Sequence, residues 1–89
     1  MNTRDAVGQE ILRYLLVHPE ARDSAEGIRV WWLRPGCEAT ADEVEEALED
    51  LIERGWVRSD GDGDVVLFGL NGQPGADVLR YIAQGKPRG

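Results

Sequence analysis

Residues 40–70 constrain the fold of this chain more than any other segment does. Thr40 and Glu43 have the spacing of a capping box, in which each side chain bonds the backbone amide of the other residue at the start of a helix. Gly55 suits the end of that helix, because glycine readily adopts the left-handed conformation found just past helix ends. Two short apolar segments, separated by the turn-forming residues 60–63, come next. This order predicts a capped helix followed by a β-hairpin.

Two helices are predicted before this segment. The first runs from an N-cap at Thr3 to about residue 17, and its apolar residues recur at helical spacing. After a polar connector at residues 20–23, Ser24 caps a second helix over about residues 25–33. The second helix has an apolar face formed by Ile28, Trp31 and Trp32.

The hairpin and a last helix complete the predicted elements. Residues 56–58 are expected to pair with residues 65–68. Pro74 suits the first turn of a short final helix, because proline lacks the amide that a first turn leaves unbonded. The inner face of that helix is predicted to comprise Val78, Leu79 and Ile82.

These elements predict one α+β domain, mainly helical with a small hairpin, over residues 1–84. Residues 85–89 are expected to form a flexible tail. The core is expected to gather large apolar side chains from every helix before the hairpin and from the first hairpin strand. Its predicted centre comprises Ile11, Leu15, Ile28, Leu48, Leu51 and Trp56.

Charge and cysteine content narrow the classes of partner and compartment. The 89-residue chain has a formal net charge of −7, which disfavours nonspecific binding to nucleic acid or to anionic membranes. Its single cysteine, Cys37, cannot form an intramolecular disulfide, which fits a reducing compartment. No apolar run approaches the ~20 residues that span a bilayer, and the N-terminus lacks the apolar stretch of a signal peptide. We therefore expect a cytoplasmic protein that does not enter a membrane.

The order of the elements resembles the winged helix-turn-helix superfamily, and bacterial regulators in particular. The resemblance covers about residues 5–70, and residues 40–57 carry most of it, as a capped third helix, a glycine and the first strand of a wing. The fold it implies has three helices, a two-stranded wing and a short C-terminal helix. In DNA-binding members the third helix enters the major groove and the wing touches the backbone or the minor groove. The matching positions here are residues 42–53 and 59–64.

The charge of the third helix favours a protein partner over DNA. Residues 40–54 contain seven acidic side chains and one arginine, a local net charge of −6. A helix that brings negative charge to phosphate gains no counterion release. We therefore expect a protein-interaction or regulatory module whose partner is a protein with a basic patch, or a second copy of the chain. The predicted partner-binding residues are Trp31, Trp32, Asp42, Glu45, Glu46 and Glu49.

A small DNA-binding transcriptional regulator is the alternative function. Such a regulator would be dimeric through its first or last helix and would contact DNA through an arginine surface. The residues predicted for this role are Arg29, Arg34 and Arg58.

Catalytic, cofactor and metal sites are not predicted. Residues 60–64 imitate the start of an EF-hand loop, but the positions that need a glycine and a bidentate glutamate hold Val65 and Asn71. His18 and Cys37 lack a third group that would orient them as a base and a nucleophile. The glycines match no phosphate-binding loop. We therefore expect a protein that is not an enzyme and that takes no cofactor.

Overall fold

The computed structural model describes residues 3–33, 39–62 and 65–84. Four α-helices and one three-stranded antiparallel sheet lie within these residues, which confirms the predicted α+β class. The chain runs in order through α1 (Thr3–Val17), β1 (Arg22–Asp23), α2 (Ala25–Gly27), a π-helical segment (Ile28–Trp32), α3 (Ala41–Glu53), β2 (Val57–Asp62), β3 (Val65–Leu70) and α4 (Ala76–Gln84).

The sheet has one strand more than the hairpin that the sequence predicted. Its order is β1-β3-β2, and β1 pairs with β3 through Arg22 opposite Gly69 and Asp23 opposite Phe68. A Cβ atom on Gly69 would lie 3.1 Å from Arg22 Cγ and 3.2 Å from the Ala21 carbonyl oxygen. Glycine at this position therefore permits the close approach of the two strands. Residues 20–23 were expected to be a polar connector, and that prediction is wrong for the two residues of β1.

The hairpin strands are longer than predicted. β2 and β3 pair from Val57 opposite Leu70 to Asp62 opposite Val65. Residues 60–62, expected in the turn, therefore belong to β2. Residues 60–62 pair with residues 65–67, which were already predicted as a strand, and this pairing extends β2. Residues 57 and 58 face Leu70 and Gly69, so the predicted pairing of residues 56–58 with residues 65–68 is wrong. Residues 63 and 64 lie outside the described residues.

The second helix begins as predicted but changes its winding. The Ser24 hydroxyl accepts a hydrogen bond from the Gly27 amide at 3.1 Å, which confirms the N-cap. After α2 the chain continues as a π-helical segment, in which each residue turns by less than the about 100° of an α-helix. The angle around the helix axis between Ile28 and Trp31 is therefore larger than in an α-helix. The prediction that Trp31 shares a face with Ile28 is wrong.

The third helix and its two ends confirm the prediction. Thr40 Oγ1 accepts from the Glu43 amide at 3.1 Å, and Glu43 Oε1 accepts from the Thr40 amide at 2.9 Å. Gly55 follows the helix at a φ of +82°, and its amide donates to the Ile52 carbonyl at 2.9 Å. These contacts fix where α3 ends and where β2 leaves it.

The core lies between α1, the π-helical segment, α3 and α4. Five of the six residues predicted for its centre are at most 1% exposed, namely Ile11, Leu15, Ile28, Leu48 and Leu51. Trp56 is only partly buried, at the edge of the core. On α4, Val78 and Ile82 face inward as predicted, whereas Leu79 is 57% exposed and Tyr81 is buried in its place.

Both ends of the domain differ in detail from the prediction. α1 includes Thr3 as its first residue, so the expected N-cap is the start of the helix itself. α4 begins at Ala76, two residues after the proline expected in its first turn. The tail predicted at residues 85–89 lies outside the described residues. No helix among the described residues is long and apolar enough to cross a bilayer.

Candidate partner-binding surface

The outer side of α3 carries a set of carboxylates that we call the acidic face. These residues recur at helical spacing and lie on the opposite side of the helix from the buried Val44, Ala47, Leu48 and Leu51. The acidic face consists of Asp42, Glu45, Glu46, Glu49 and Glu53, all of them exposed.

The acidic face is not neutralised within the part of the chain that the structure describes. Glu43 is used in the helix cap, and Asp50 accepts from Arg54 Nε at 2.9 Å, so neither belongs to the acidic face. None of the five acidic-face side chains has a hydrogen bond or an ion pair with a described residue. Like charges three and four residues apart each destabilise a helix by about 0.2–0.5 kcal/mol. A cationic partner would relieve this repulsion.

The two tryptophans predicted for partner binding have opposite environments. Trp31 is 74% exposed, and its neighbour Val30 is 49% exposed. Trp32 is 5% exposed and stacks on Tyr14 with ring centroids 4.6 Å apart. Trp32 is therefore much the less accessible of the two predicted partner-binding tryptophans, because its ring packs against Tyr14. Trp31 remains as an accessible aromatic side chain.

A shallow apolar groove of about 220 Å³ lies beside Trp32. Tyr14 and Trp32 form part of it, and the Tyr14 ring also contacts His18 at a centroid distance of 4.7 Å. Val17, at the end of α1, lines the groove and is 72% exposed. We call this feature the Tyr14 groove, and its lining residues are Glu10, Arg13, Tyr14, Val17, His18 and Trp32.

The arginines predicted for nucleic-acid binding already have acidic partners. Arg29 forms hydrogen bonds with Glu26, which lower the pKa of that carboxyl and raise the pKa of the guanidinium. Arg58 Nη2 donates to both carboxylate oxygens of Asp60, at 3.1 and 2.9 Å. Arg34, the third predicted residue, lies outside the described residues.

The same pairing extends to the other arginines. Each arginine whose side chain the structure describes lies within 4.0 Å of a carboxylate oxygen, and Arg22 shares Asp60 with Arg58. A guanidinium held by a carboxylate must give up that contact, or share it, before it can bind phosphate. On the described surface, therefore, the side chains of the acidic face have no cationic neighbour, whereas each described arginine side chain has a carboxylate neighbour.

A second pocket, of about 300 Å³, was not foreseen from the sequence. Arg54 lies over two aromatic rings there, 5.2 Å from the centroid of Trp56 and 4.7 Å from that of Tyr81. Asp77 and Arg80 of α4 complete the lining. The sequence signal for this cluster is Trp56, an aromatic residue directly after the helix-ending Gly55. That signal does not indicate which cationic side chain packs on the ring.

The residues considered for metal binding or catalysis fall partly inside and partly outside the described part of the chain. His18 is exposed and packs on Tyr14, and Cys37 lies outside the described residues. Asp60 is engaged by two arginines. Across residues 3–33, 39–62 and 65–84, no three His, Cys, Asp or Glu side chains are grouped to hold a metal ion.

In comparisons with known proteins, the chain matches no family model, no curated protein and no solved structure.

Proposed function

We propose that this chain is a cytoplasmic winged-helix domain, without catalytic activity, that acts as a protein-interaction or regulatory module. The order of its elements supports the family: a helix, a short helix, a capped third helix, a glycine at positive φ and a hairpin. The acidic face of α3 and the exposed Trp31 support the function.

The acidic face is the observation that carries the proposal. In a DNA-binding winged helix the third helix enters the major groove. Here the exposed side of that helix holds five carboxylates without a cation among the described residues. Phosphate would repel this side, whereas a basic protein surface would be attracted and steered towards it. A protein with a basic patch is therefore the partner that fits α3.

Trp31 can supply apolar binding energy that the charges of the acidic face do not provide. Exposed ion pairs contribute little affinity, because water and salt screen them. A tryptophan that becomes buried on binding removes roughly 150–250 Å² of mostly apolar surface from water, and tryptophan is enriched among the residues that dominate binding energy. We therefore assign encounter and orientation to the acidic face, and slow dissociation to Trp31.

Comparative capture of proteins from the source cell tests this proposal. Wild-type protein on a resin should retain a partner with a basic surface, and the triple variant E45Q/E46Q/E49Q should retain much less of it. A matched control, E20Q/E26Q/D77N, removes the same number of negative charges from exposed residues outside α3. The control should capture the partner as the wild type does, because its three changes lie outside the acidic face. Two of them also release Arg29 and Arg80 from their carboxylates, which would only disfavour a basic partner, so full capture by the control is a strict result.

Two results would contradict the proposal. Equal loss of the partner in both triple variants would mean that overall charge, and not the acidic face, governs binding. Retention of duplex DNA by the wild type, lost on R58Q, would instead favour the DNA-binding regulator.

A further inference from the structure

The outer side of β2 is a long edge of the sheet. In the strand order β1-β3-β2, β2 pairs on one side only, and no described strand lies beyond it. Every second residue of such a strand directs its amide and its carbonyl away from the neighbouring strand, where they can pair with a further strand. Among the described residues, no backbone hydrogen bond from a turn, a loop or a helix cap involves residues 57–62. The β2 edge is therefore a template for strand addition.

This edge lacks most of the features that keep exposed strands from pairing. Natural proteins shorten their edge strands, interrupt them with bulges, or place proline and lysine in them. At the opposite edge of the sheet, β1 has only two residues. β2 has six residues, none of them proline or lysine, and it pairs with β3 in one continuous register without a bulge. The charged side chains at the middle of the edge, Arg58 and Asp60, therefore decide which strand can add.

Arg58 and Asp60 lie on one face of the sheet, and Arg58 has unused hydrogen-bond donors. Arg58 Nη2 donates to both carboxylate oxygens of Asp60, at 3.1 and 2.9 Å. Arg58 Nε and Nη1 form no hydrogen bond with a described residue. The side chain is exposed, and a guanidinium carries five N–H donors, so a second carboxylate can bind it beside Asp60.

We infer that two copies of this chain pair through their β2 strands, antiparallel and centred on Ser59. A two-fold axis perpendicular to the sheet places Arg58 of each copy opposite Asp60 of the second copy, and the two Ser59 residues opposite each other. Unlike charges in directly opposing positions stabilise paired strands, and like charges destabilise them. Residues 58–60, read in the antiparallel direction, are thus complementary to themselves in charge. The two three-stranded sheets then form one sheet of six strands.

The charges also select this register over the adjacent ones. In a continuous sheet the pairing can shift only in steps that keep Arg58 and Asp60 on the same face. A shift in one direction places Arg58 opposite Arg58 of the second copy, and a shift in the other direction places Asp60 opposite Asp60 of the second copy. Each shift therefore creates a pair of like charges that the register centred on Ser59 avoids.

The association should be weak. A single pair of edge strands forms an interface at the low end of the known range, below ~1,200 Å², as in transient complexes. Each copy also has a net charge of −7, so the two copies repel each other at long range. The inference does not rest on the proposed function, because β2 is separate from the acidic face and purified protein alone can test the pairing.

Sedimentation equilibrium between about 10 µM and about 1 mM protein covers the range of a weak dimer. A reducing agent must be present, because the single cysteine could otherwise form an intermolecular disulfide. Salt at about 0.15 M screens charges far from the interface. The wild type should form a reversible dimer under these conditions.

Charge reversal at the two positions tests the pairing. R58E opposes acidic residues across the interface and D60K opposes basic residues, so each variant should raise the dissociation constant at least ~tenfold. An equimolar mixture of R58E and D60K should form a heterodimer, because both cross-strand contacts then join unlike charges. The double variant R58E/D60K should dimerise as the wild type does, because its exchanged charges are again complementary to themselves.

The matched controls are R80E and D77K, which make the same charge changes at another exposed arginine–aspartate pair, on α4. Both should leave the dissociation constant unchanged, and circular dichroism confirms that each variant is folded. Four results would overturn the inference: a wild type that stays monomeric throughout this range, an R58E or D60K variant that dimerises as the wild type does, a mixture of the two that forms no heterodimer, or an equal loss of the dimer in R80E and D77K.

Discussion

The guanidinium carbon of Arg54 lies 4.7 Å from the centroid of the Tyr81 ring. The same group lies 5.2 Å from the Trp56 ring, and the two rings are 5.3 Å apart. Asp50, one turn earlier in α3, holds the guanidinium through Nε at 2.9 Å. Arg54 therefore connects the end of α3 and the start of β2 to the buried side of α4.

Replacing Arg54 tests how much this connection contributes to stability. R54A should lower the free energy of unfolding by about 1–2 kcal/mol, because a cation–π contact at an exposed site contributes about 0.5–1 kcal/mol and two rings are involved. R54K keeps the charge without the planar group and should lose less. Urea denaturation measures both variants. Stability of R54A equal to that of the wild type would show that the arrangement over the rings is incidental.

The two adjacent tryptophans should differ sharply when each is replaced. Trp32 is buried against Tyr14, so W32A should lower the free energy of unfolding by about 3–5 kcal/mol. Trp31 is 74% exposed, so W31A should change it by no more than about 0.5 kcal/mol. Urea denaturation at a single protein concentration measures both variants. The reverse order of the two effects would mean that the winding of the π-helical segment is not as described.

The buried side of α3 can be tested in the same way. L51A should cost about 2–5 kcal/mol of unfolding free energy, because Leu51 is fully buried and its removal leaves a cavity. E53A, on the acidic face of the same helix, is the control and should be close to neutral. A cost for L51A below about 0.5 kcal/mol would place the other side of α3 against the core.

Parts of this fold follow from local sequence alone. The capping box of Thr40 and Glu43, the glycine at 55 and the periodic apolar residues of α1 and α3 each act within a few neighbouring residues. The acidic face was foreseen for the same reason, since helical periodicity fixes which side chains lie opposite the core.

Other parts depend on contacts between distant residues. β1 has only two residues, both polar, and it is a strand only because Gly69 of β3 lets the chain approach. Leu79 is exposed and Tyr81 is buried in its place, because Arg54 and Trp56 provide a surface for the Tyr81 ring. The Tyr14 groove forms only because Tyr14 of α1 stacks on Trp32 of the π-helical segment. No local sequence pattern predicts that contact.

Generic duplex DNA should bind the protein weakly even at low salt. The outer side of α3 is acidic, and Arg29 and Arg58 are held by Glu26 and Asp60. A fluorescence titration with labelled duplex measures the affinity, and low salt favours phosphate contacts. Submicromolar affinity that falls steeply with added salt would support the DNA-binding regulator in place of the proposed interaction module.

The most direct test of the proposed function is the association rate of the captured partner as a function of salt. The wild-type rate should fall as salt is added, because the acidic face steers the encounter. E45Q/E46Q/E49Q should associate more slowly and with a flatter salt dependence, W31A should mainly dissociate faster, and the charge-matched control E20Q/E26Q/D77N should follow the wild type. If the rates of the partner's association and dissociation are the same for the wild type, the α3 variant and W31A, the acidic face and Trp31 are not its binding surface.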